Sequence, residues 1–195
     1  MPVLTEPALP PGALSGRAQP TLPQPCGLVL RPWRADDAAA VKDAFDCPQI
    51  QRWHVRRMDS LDEAAVWAEA WSLRWRAEAD ASWAVVGGDD ELLGQVGLRS
   101  VDLVEGSASL SYWTAPRARG AGAAARATRA LLRWSLQDLG LHRVFAEHST
   151  ANPASCRTAV RAGLRPEGTR RGAALHADGW HDMHVHSRLR TDAWV

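Results

Sequence analysis

Residues 111–123 read Ser-Tyr-Trp-Thr-Ala-Pro-Arg-Ala-Arg-Gly-Ala-Gly-Ala, and this segment is the most informative part of the 195-residue chain. The run before Pro116 has the composition of a β-strand, and the proline ends it. Gly120 and Gly122 then form a short loop, and a helix is expected to begin near Ala123. The segment therefore predicts a strand, a glycine-rich loop and a helix in direct succession.

The loop has the features of an anion site. Backbone N–H groups at a helix N-terminus lack partners within the helix, and the positive end of the helix dipole favours a negative charge there. Gly120 and Gly122 let an anion approach the backbone closely, and Arg117 and Arg119 add guanidinium donors suited to phosphate. The sequence lacks the Gly-Lys-Ser/Thr of a P-loop and the third glycine of a dinucleotide fingerprint. We therefore expect a diphosphate at this loop, and the alternative is a glycine-rich turn with two solvated arginines.

Secondary-structure signals on both sides of the loop predict an α/β domain. The periodicities indicate a strand, helices, three antiparallel strands, a helix, a strand, a helix and two final strands. The predicted strands are 28–33, 82–86, 92–101, 108–114, 142–148, one strand after residue 164, and 180–189. The predicted helices are 35–45, 61–77, 123–139 and one that begins at Asn152-Pro153 and ends at Gly163. This order is typical of a layered domain with a mixed sheet.

Length and composition fit one globular domain that follows a short arm. Proline recurs throughout residues 1–26 without periodicity, so we expect a flexible arm there and a folded domain over residues 27–195. A net charge of +1 gives no general attraction for nucleic acid or membranes, and neither is expected as a partner. The chain lacks a signal peptide and a membrane-length apolar stretch, and its three cysteines suggest no disulfide framework, so we expect a cytoplasmic protein.

Several motifs, in order and in register, resemble one enzyme family. Arg117-x-x-Gly120-x-Gly122 resembles the acyl-CoA signature of the GNAT N-acetyltransferases, and the chain is similar to their RimJ/RimL branch in particular. The other matching motifs are the first strand at 28–33, Tyr112-Trp113, Asn152-x-x-Ser155, Ala162-Gly163-Leu164, Glu167-Gly168 and the closing segment 179–185. The resemblance extends from about residue 28 to residue 189.

The resemblance implies the GNAT fold and acetyl-CoA as co-substrate. The fold is a central, mostly antiparallel mixed sheet that is splayed at the acyl-CoA site and has helices on both faces. The residues it implies for CoA binding are Trp113, Thr114, Arg117, Arg119, Gly120, Ala121, Gly122, Ala123, Asn152 and Ser155. On the following helix, a solvated helix face is the main interpretation of Arg126, and help in binding the adenosine phosphates of CoA is the alternative.

The resemblance also implies acetyl transfer to a primary amine by direct attack in a ternary complex. The acceptor it suggests is a protein N-terminal α-amine, and relatives often form homodimers. Three alternatives stay open. The acceptor could be a small-molecule amine of the antibiotic type, the donor could be succinyl-CoA, or the chain could be a CoA-binding sensor without catalysis.

Ser155 and Asn152 are the catalytic candidates that the resemblance places at the start of a helix. Ser155 would stabilise or protonate the departing thiolate, and Asn152 would orient the pantetheine. Local capping of the helix is the alternative role for Ser155. A covalent intermediate at the neighbouring Cys156 is disfavoured, because nothing near it in sequence would lower the pKa of its thiol.

The general base is the point at which the sequence departs from the family. Many relatives carry a glutamate on the strand before the loop, where this chain has Ser109. Asp182, Glu147 and His148 are candidates for the base, and a water relay is another. The acceptor could also need little help, since about a fifth of an α-amine of pKa about 8 is neutral at pH 7.4, against about 0.1% of a lysine.

The closing strand carries a metal-like pattern. Asp182, His184 and His186 alternate, so their side chains are expected on one face of the sheet, and two histidines with a carboxylate can bind zinc. GNAT chemistry needs no metal, so no metal is predicted for this chain.

Overall fold

The computed structural model describes residues 4–25 and 27–194, and it has the predicted mixed α/β architecture. Its strands form one eight-stranded sheet in the order β1-β2-β3-β4-β5-β6-β8-β7. The strands are β1 (Leu22–Pro23), β2 (Val29–Pro32), β3 (Ala81–Val86), β4 (Leu92–Asp102), β5 (Ser107–Thr114), β6 (Arg143–Ser149), β7 (Arg165–His176) and β8 (Gly179–Leu189). All neighbours pair antiparallel except β5 and β6, which pair in parallel. The predicted meander of three strands corresponds to β3, β4 and β5.

Five α-helices connect these strands. They are α1 (Ala38–Phe45), α2 (Pro48–His54), α3 (Leu61–Arg76), α4 (Ala123–Arg133) and α5 (Pro153–Ala162). The sequence did not predict α2, and the predicted helix 123–139 is α4 followed by a π-helical turn, Trp134–Leu139. No helix within residues 4–25 and 27–194 is long and apolar enough to cross a bilayer.

Tryptophans build much of the core on both faces of the sheet. Successive residues of β3 point to opposite faces, so Trp83 and Ala84 lie in different hydrophobic clusters. On the face that carries α4 and α5, the rings of Trp75, Trp83 and Trp134 pack with centroids 5.3–6.1 Å apart. The opposite face is called the α2 face below, because α1 and α2 contribute Phe45 and Ile50 to its cluster.

The N-terminal segment differs from the flexible arm expected from its composition. Leu9 and Leu14 are buried in the cluster of the α4–α5 face, and the backbone amides of Gly12 and Leu14 donate to the Glu78 carboxylate at 2.8 and 2.7 Å. The same hydrogen bonds lower the pKa of Glu78 against the opposing effect of its burial. The leucines of this segment are sparse and show no periodicity, so the sequence did not predict that Leu9 and Leu14 would be buried against the domain. Residues 1–3 and 26 of the predicted arm lie outside the described residues.

Candidate functional site

The site begins at a gap where β5 and β6 separate. The two strands pair over four residue pairs, the last of which is Leu110 with Ala146. Beyond this pair β5 continues along β4 to Thr114, and β6 continues along β8 to Ser149. Within the described residues the facing edges of these strand ends have no strand between them, so their backbone groups resemble a sheet edge. The splay implied by the resemblance is therefore present.

Trp113 and Thr114 border this gap through their backbones. Trp113 pairs with Gln95 of β4, and its buried indole extends into the α2 face, where it packs against Phe45 with ring centroids 5.7 Å apart. Thr114 pairs with Gly94. A Cβ on Gly94 would come within 2.3 Å of the Trp113 carbonyl oxygen, so the close approach of β4 and β5 requires glycine there. Both predicted contact residues lie at the gap, and the Trp113 side chain anchors the strand.

The loop between β5 and α4 presents a group of free backbone amides. Gly120 and Gly122 have φ angles of +82° and +75°, which glycine adopts at low cost. Gly122 is the N-cap of α4 and offers no side chain to the helix. In the part of the chain that the structure describes, no residue accepts a hydrogen bond from the amides of residues 120–123. These donors are available to an anion at the positive end of α4.

The two predicted arginines take different positions beside this loop. Arg117 lies on the side of the β3–β4 turn, where its Nε is 2.5 Å from a carboxylate oxygen of Glu91. Arg119 contacts the start of α2, where it donates to Gln49 and approaches the Cys47 sulfur at 3.3 Å. Arg119 thus borders the loop, whereas the guanidinium of Arg117 pairs with Glu91.

Arg126 closes the inner side of the loop. Its Nη1 donates to the carbonyl oxygen of Ala121 at 2.7 Å, which holds the loop against the first turn of α4. A Cβ on Gly122 would lie 3.2 Å from the same nitrogen. Ala123 is buried beneath the loop. The predicted loop residues 119–122 therefore lie over the start of α4, with Ala123 beneath them.

The start of α5 faces the same end of the gap. Asn152 is the N-cap, and its Oδ1 accepts from the Ser155 amide at 3.1 Å. The hydroxyl of Tyr112 on β5 donates to the Ser155 carbonyl oxygen at 2.9 Å, which joins β5 to α5. Burial raises the pKa of Tyr112 to about 12. The helix is therefore capped by Asn152, and the Ser155 hydroxyl has no hydrogen bond to the described residues.

The three predicted bases are engaged elsewhere. A carboxylate oxygen of Glu147 lies 2.6 Å from Arg170, and Asp182 accepts from the Gly172 amide at 2.8 Å. His148 is buried on the α4–α5 face, and burial lowers the pKa of its imidazole.

A chain of polar side chains that sequence reasoning missed lies on the α2 face. The Ser149 hydroxyl is 2.7 Å from Nδ1 of His181, and Nε2 of His181 is 2.9 Å from the Asp178 carboxylate. The His181 ring lies at a centroid distance of 6.3 Å from Trp53 of α2. Ser149 ends β6 at the gap, so this chain connects the gap with the surface. The sequence analysis had placed Asp178 in the turn before β8, but it did not predict that this residue contacts His181.

Cationic groups dominate the part of the α2 face next to Ser109. Burial lowers the pKa of Arg99 to about 10; Asp80 opposes this shift, and neighbouring Arg74 and Arg56 contribute to it. His54, at the end of α2, interacts with the Tyr112 backbone. Burial, with contributions from Arg99 and Arg56, lowers its pKa to about 4, so this imidazole is neutral at pH 7.

A mixed sheet that opens beside a glycine-rich helix N-terminus is the arrangement that the resemblance to the GNAT family implies for an acyl-CoA site. The sequence model of the acetyltransferase (GNAT) domain matches residues 27–165. This match covers most of the chain, which therefore belongs to the GNAT family of N-acetyltransferases.

Curated relatives and solved structures agree with this assignment. The chain is 24% identical over 165 residues to the uncharacterized N-acetyltransferase YoaA of Bacillus subtilis (strain 168), covering 84% of this chain and 93% of that protein. It is 27% identical over 101 residues to the ribosomal-protein-serine acetyltransferase of Escherichia coli (strain K12), covering 52% and 56%.

Solved structures that share the fold include the following two. A RimL ribosomal L7/L12 alpha-N-protein acetyltransferase in complex with coenzyme A has a TM-score of 0.77 at 18% identity, covering 87% of this chain and 98% of that chain. A spermidine N-acetyltransferase from Vibrio cholerae in complex with CoA and spermine has a TM-score of 0.74 at 20% identity, covering 85% and 96%.

Proposed function

We propose that the protein transfers an acetyl group from acetyl-CoA to a single α-amino group, such as the N-terminus of a protein. The observation that carries this proposal is the continuity between the β5–β6 gap and the free amides of residues 120–123. A pantetheine arm can pair with the exposed strand edges as an added strand does. Its diphosphate then meets the positive end of α4, and the thioester lies near the start of α5.

The reaction is a direct attack within a ternary complex. The neutral amine nitrogen bonds to the thioester carbonyl carbon, the C–S bond breaks, and the sulfur leaves as a thiolate. The Ser155 hydroxyl donates a proton to that thiolate and is reprotonated by solvent. Binding both substrates in one cleft supplies positioning, and fixed backbone dipoles stabilise the developing charge.

By way of Ser149, His181 accepts the proton that the acceptor ammonium loses before the attack, and the proton released as the amide forms returns to Ser155 through solvent. Asp178 holds Nε2 of His181, as an orienting carboxylate does in general-base systems, and leaves Nδ1 toward the Ser149 hydroxyl. The glutamate of many relatives is absent at Ser109, and this chain of hydrogen bonds offers another base on the same face of the sheet.

His181→Ala is expected to lower kcat/KM about 100-fold at pH 7, because general-base catalysis contributes on that order. The deficit should shrink as the pH rises above the acceptor's pKa of about 8, where the amine is neutral without assistance. Steady-state rates between pH 6.5 and 9.5 measure both effects, with His142→Ala, at an exposed position away from the gap, as the control. A deficit of equal size at every pH would assign His181 a structural role only.

The charges on the α2 face favour an acceptor with one amine over a polyamine. Arg56, Arg74 and Arg99 lie close enough to affect one another or His54 electrostatically. Among the nearby acids, Asp80 pairs with Arg74 and Asp178 pairs with Arg52. Such a surface repels the several positive charges of spermidine, and it tolerates a peptide N-terminus whose neighbouring residues are neutral or acidic.

An acceptor panel tests the proposed function. Release of free thiol from acetyl-CoA is followed with a peptide bearing a free N-terminal serine, the same peptide blocked at its N-terminus but carrying a lysine, and spermidine. We expect kcat/KM for the free N-terminus to exceed that for spermidine at least about tenfold, or about 1.4 kcal/mol. Faster turnover of spermidine or another small amine would identify a small-molecule acetyltransferase, and faster reaction with succinyl-CoA would change the donor. Tight CoA binding without turnover of any amine would identify a sensor.

A further inference from the structure

Four side chains with metal-binding atoms meet beneath the start of α5. His148 comes from β6, His184 and His186 come from β8, and Cys156 comes from α5. One ligand atom of each lies within 4.8 Å of those of the others, and the Cys156 sulfur is 3.8 Å from Nε2 of His186. His148 pairs with His184 across the strands, and His186 follows two residues later, so the three rings share the α4–α5 face.

Two of these histidines are buried with a ring nitrogen that has no partner. His148 is 6% exposed and His186 is 2% exposed. Nε2 of His148 and Nδ1 of His186 make no hydrogen bond within the described residues. Leaving such buried atoms unsatisfied destabilises the fold. A metal ion that accepts the Nε2 lone pair of His148 would satisfy this buried atom.

The tautomer of His148 is the one that metal binding requires. Its Nδ1 lies 2.9 Å from the Ser149 carbonyl oxygen, which can only accept, so Nδ1 carries the proton and Nε2 presents a lone pair. Histidines that bind metals commonly donate their other N–H to a backbone carbonyl in this way. Burial also lowers the pKa of both His148 and His186, which favours neutral imidazoles.

We propose that His148, Cys156, His184 and His186 form a structural Zn²⁺ site. One thiolate and three imidazoles suit zinc, and four protein ligands fill its tetrahedral shell, which is the mark of a structural site. The ion would tie α5 to β6 and β8 directly below Ser155 and so fix the end of the gap.

This proposal departs from the sequence prediction that the chain holds no metal. It also differs from the predicted ligand pattern, because Asp182 bonds to Gly172 and Cys156 joins instead. Ligand atoms around tetrahedral zinc are about 3.3–3.6 Å apart at the usual Zn–N and Zn–S lengths. The ligand atoms of the present cluster lie within 4.8 Å of one another, so the cluster would have to contract on binding the ion.

The test is metal binding by the full chain after removal of metals with a chelator. Elemental analysis after dialysis against Zn²⁺ should give one zinc per chain, and Co²⁺ should produce a tetrahedral spectrum with a thiolate-to-cobalt charge-transfer band. Zinc at 100 times its Kd should raise the midpoint of thermal unfolding by about 5–10 °C.

Matched variants assign the ligands. Cys156→Ser should abolish the charge-transfer band and weaken Zn²⁺ binding at least about 100-fold, and His184→Gln should weaken it similarly. A variant with both Cys26 and Cys47 replaced by serine keeps Cys156 as the only thiol, and it should bind as the parent does. Failure of the folded parent protein to bind zinc stoichiometrically would overturn the proposal. So would an unchanged affinity in either ligand variant. If Cys156→Ser does not fold, His184→Gln alone decides, and neither readout depends on the acetyl-transfer proposal.

Discussion

Gly122→Glu is expected to weaken CoA binding at least about 100-fold while leaving the protein folded. Glu at this N-cap would occupy the space in front of the amides of residues 120–123 and would repel a diphosphate. Loss of two or more charge-assisted hydrogen bonds, at about 1.5 kcal/mol or more each, corresponds to at least about a 100-fold loss of affinity. A carboxylate at the N-terminus of α4 is favourable for the helix itself, which offsets part of the backbone strain.

Gly27→Glu is the matched control for this substitution. Gly27 has a φ of +78°, close to the +75° of Gly122, and among the described residues other than its chain neighbours no atom lies within 4 Å of an added Cβ. The control therefore imposes the same left-handed strain at a turn away from the loop. Calorimetry with CoA measures both variants against the parent. Unchanged affinity in a folded Gly122→Glu variant would remove the loop from the binding site.

Ser155→Ala is expected to lower kcat about 100-fold, with less than about a threefold change in the Kd of CoA. Loss of the proton donor to the thiolate has an effect of this order. The local structure should survive, because Asn152 caps the Ser155 amide and Tyr112 donates to the Ser155 carbonyl oxygen. Both contacts use the backbone, so neither depends on the hydroxyl that the substitution removes.

Thr158→Ala provides the control, since it removes a hydroxyl from the same helix one turn further along. Single-turnover rates and CoA affinity are measured for both variants. A kcat within twofold of the parent for Ser155→Ala would exclude this hydroxyl from the mechanism. A parallel loss in Thr158→Ala would indicate disturbance of α5 rather than loss of a proton donor.

The sequence predicted the elements around the loop because their signals are local. The Asn152-Pro153 start of α5, the Gly163 end and the turns of the β3–β4–β5 meander each depend on the conformational preferences of a few adjacent residues. The splay between β5 and β6 came from the family resemblance. Hydrophobic periodicity has no means of showing where a strand pair stops.

The elements that the sequence missed depend on distant partners. Docking of Leu14 required Glu78, 64 residues away, to accept its backbone amide. Helix α2 is only seven residues long, and its start at Cys47-Pro48 carries no capping side chain. The proline-rich N-terminal segment has no hydrophobic periodicity, and α2 is too short to show one.

Local signals predicted that residues 119–122 form a loop between β5 and α4 and that α5 begins at Asn152-Pro153, but several side chains near them were missed. The chain from Ser149 through His181 to Asp178 joins two strands and a turn, and the cluster around Cys156 joins two strands and a helix. Strand alternation predicted that His184 and His186 share a face, but β6 and α5 had to be placed before His148 and Cys156 could join them.

A crystal structure of the complex with CoA tests the central claim most directly. The diphosphate should accept hydrogen bonds from the main-chain amides of residues 120–123, and the pantetheine should pair along β5 beyond Leu110. Its sulfur should then lie beside the Ser155 hydroxyl. CoA bound elsewhere, with the loop between β5 and α4 making no contact to phosphate, would contradict the account.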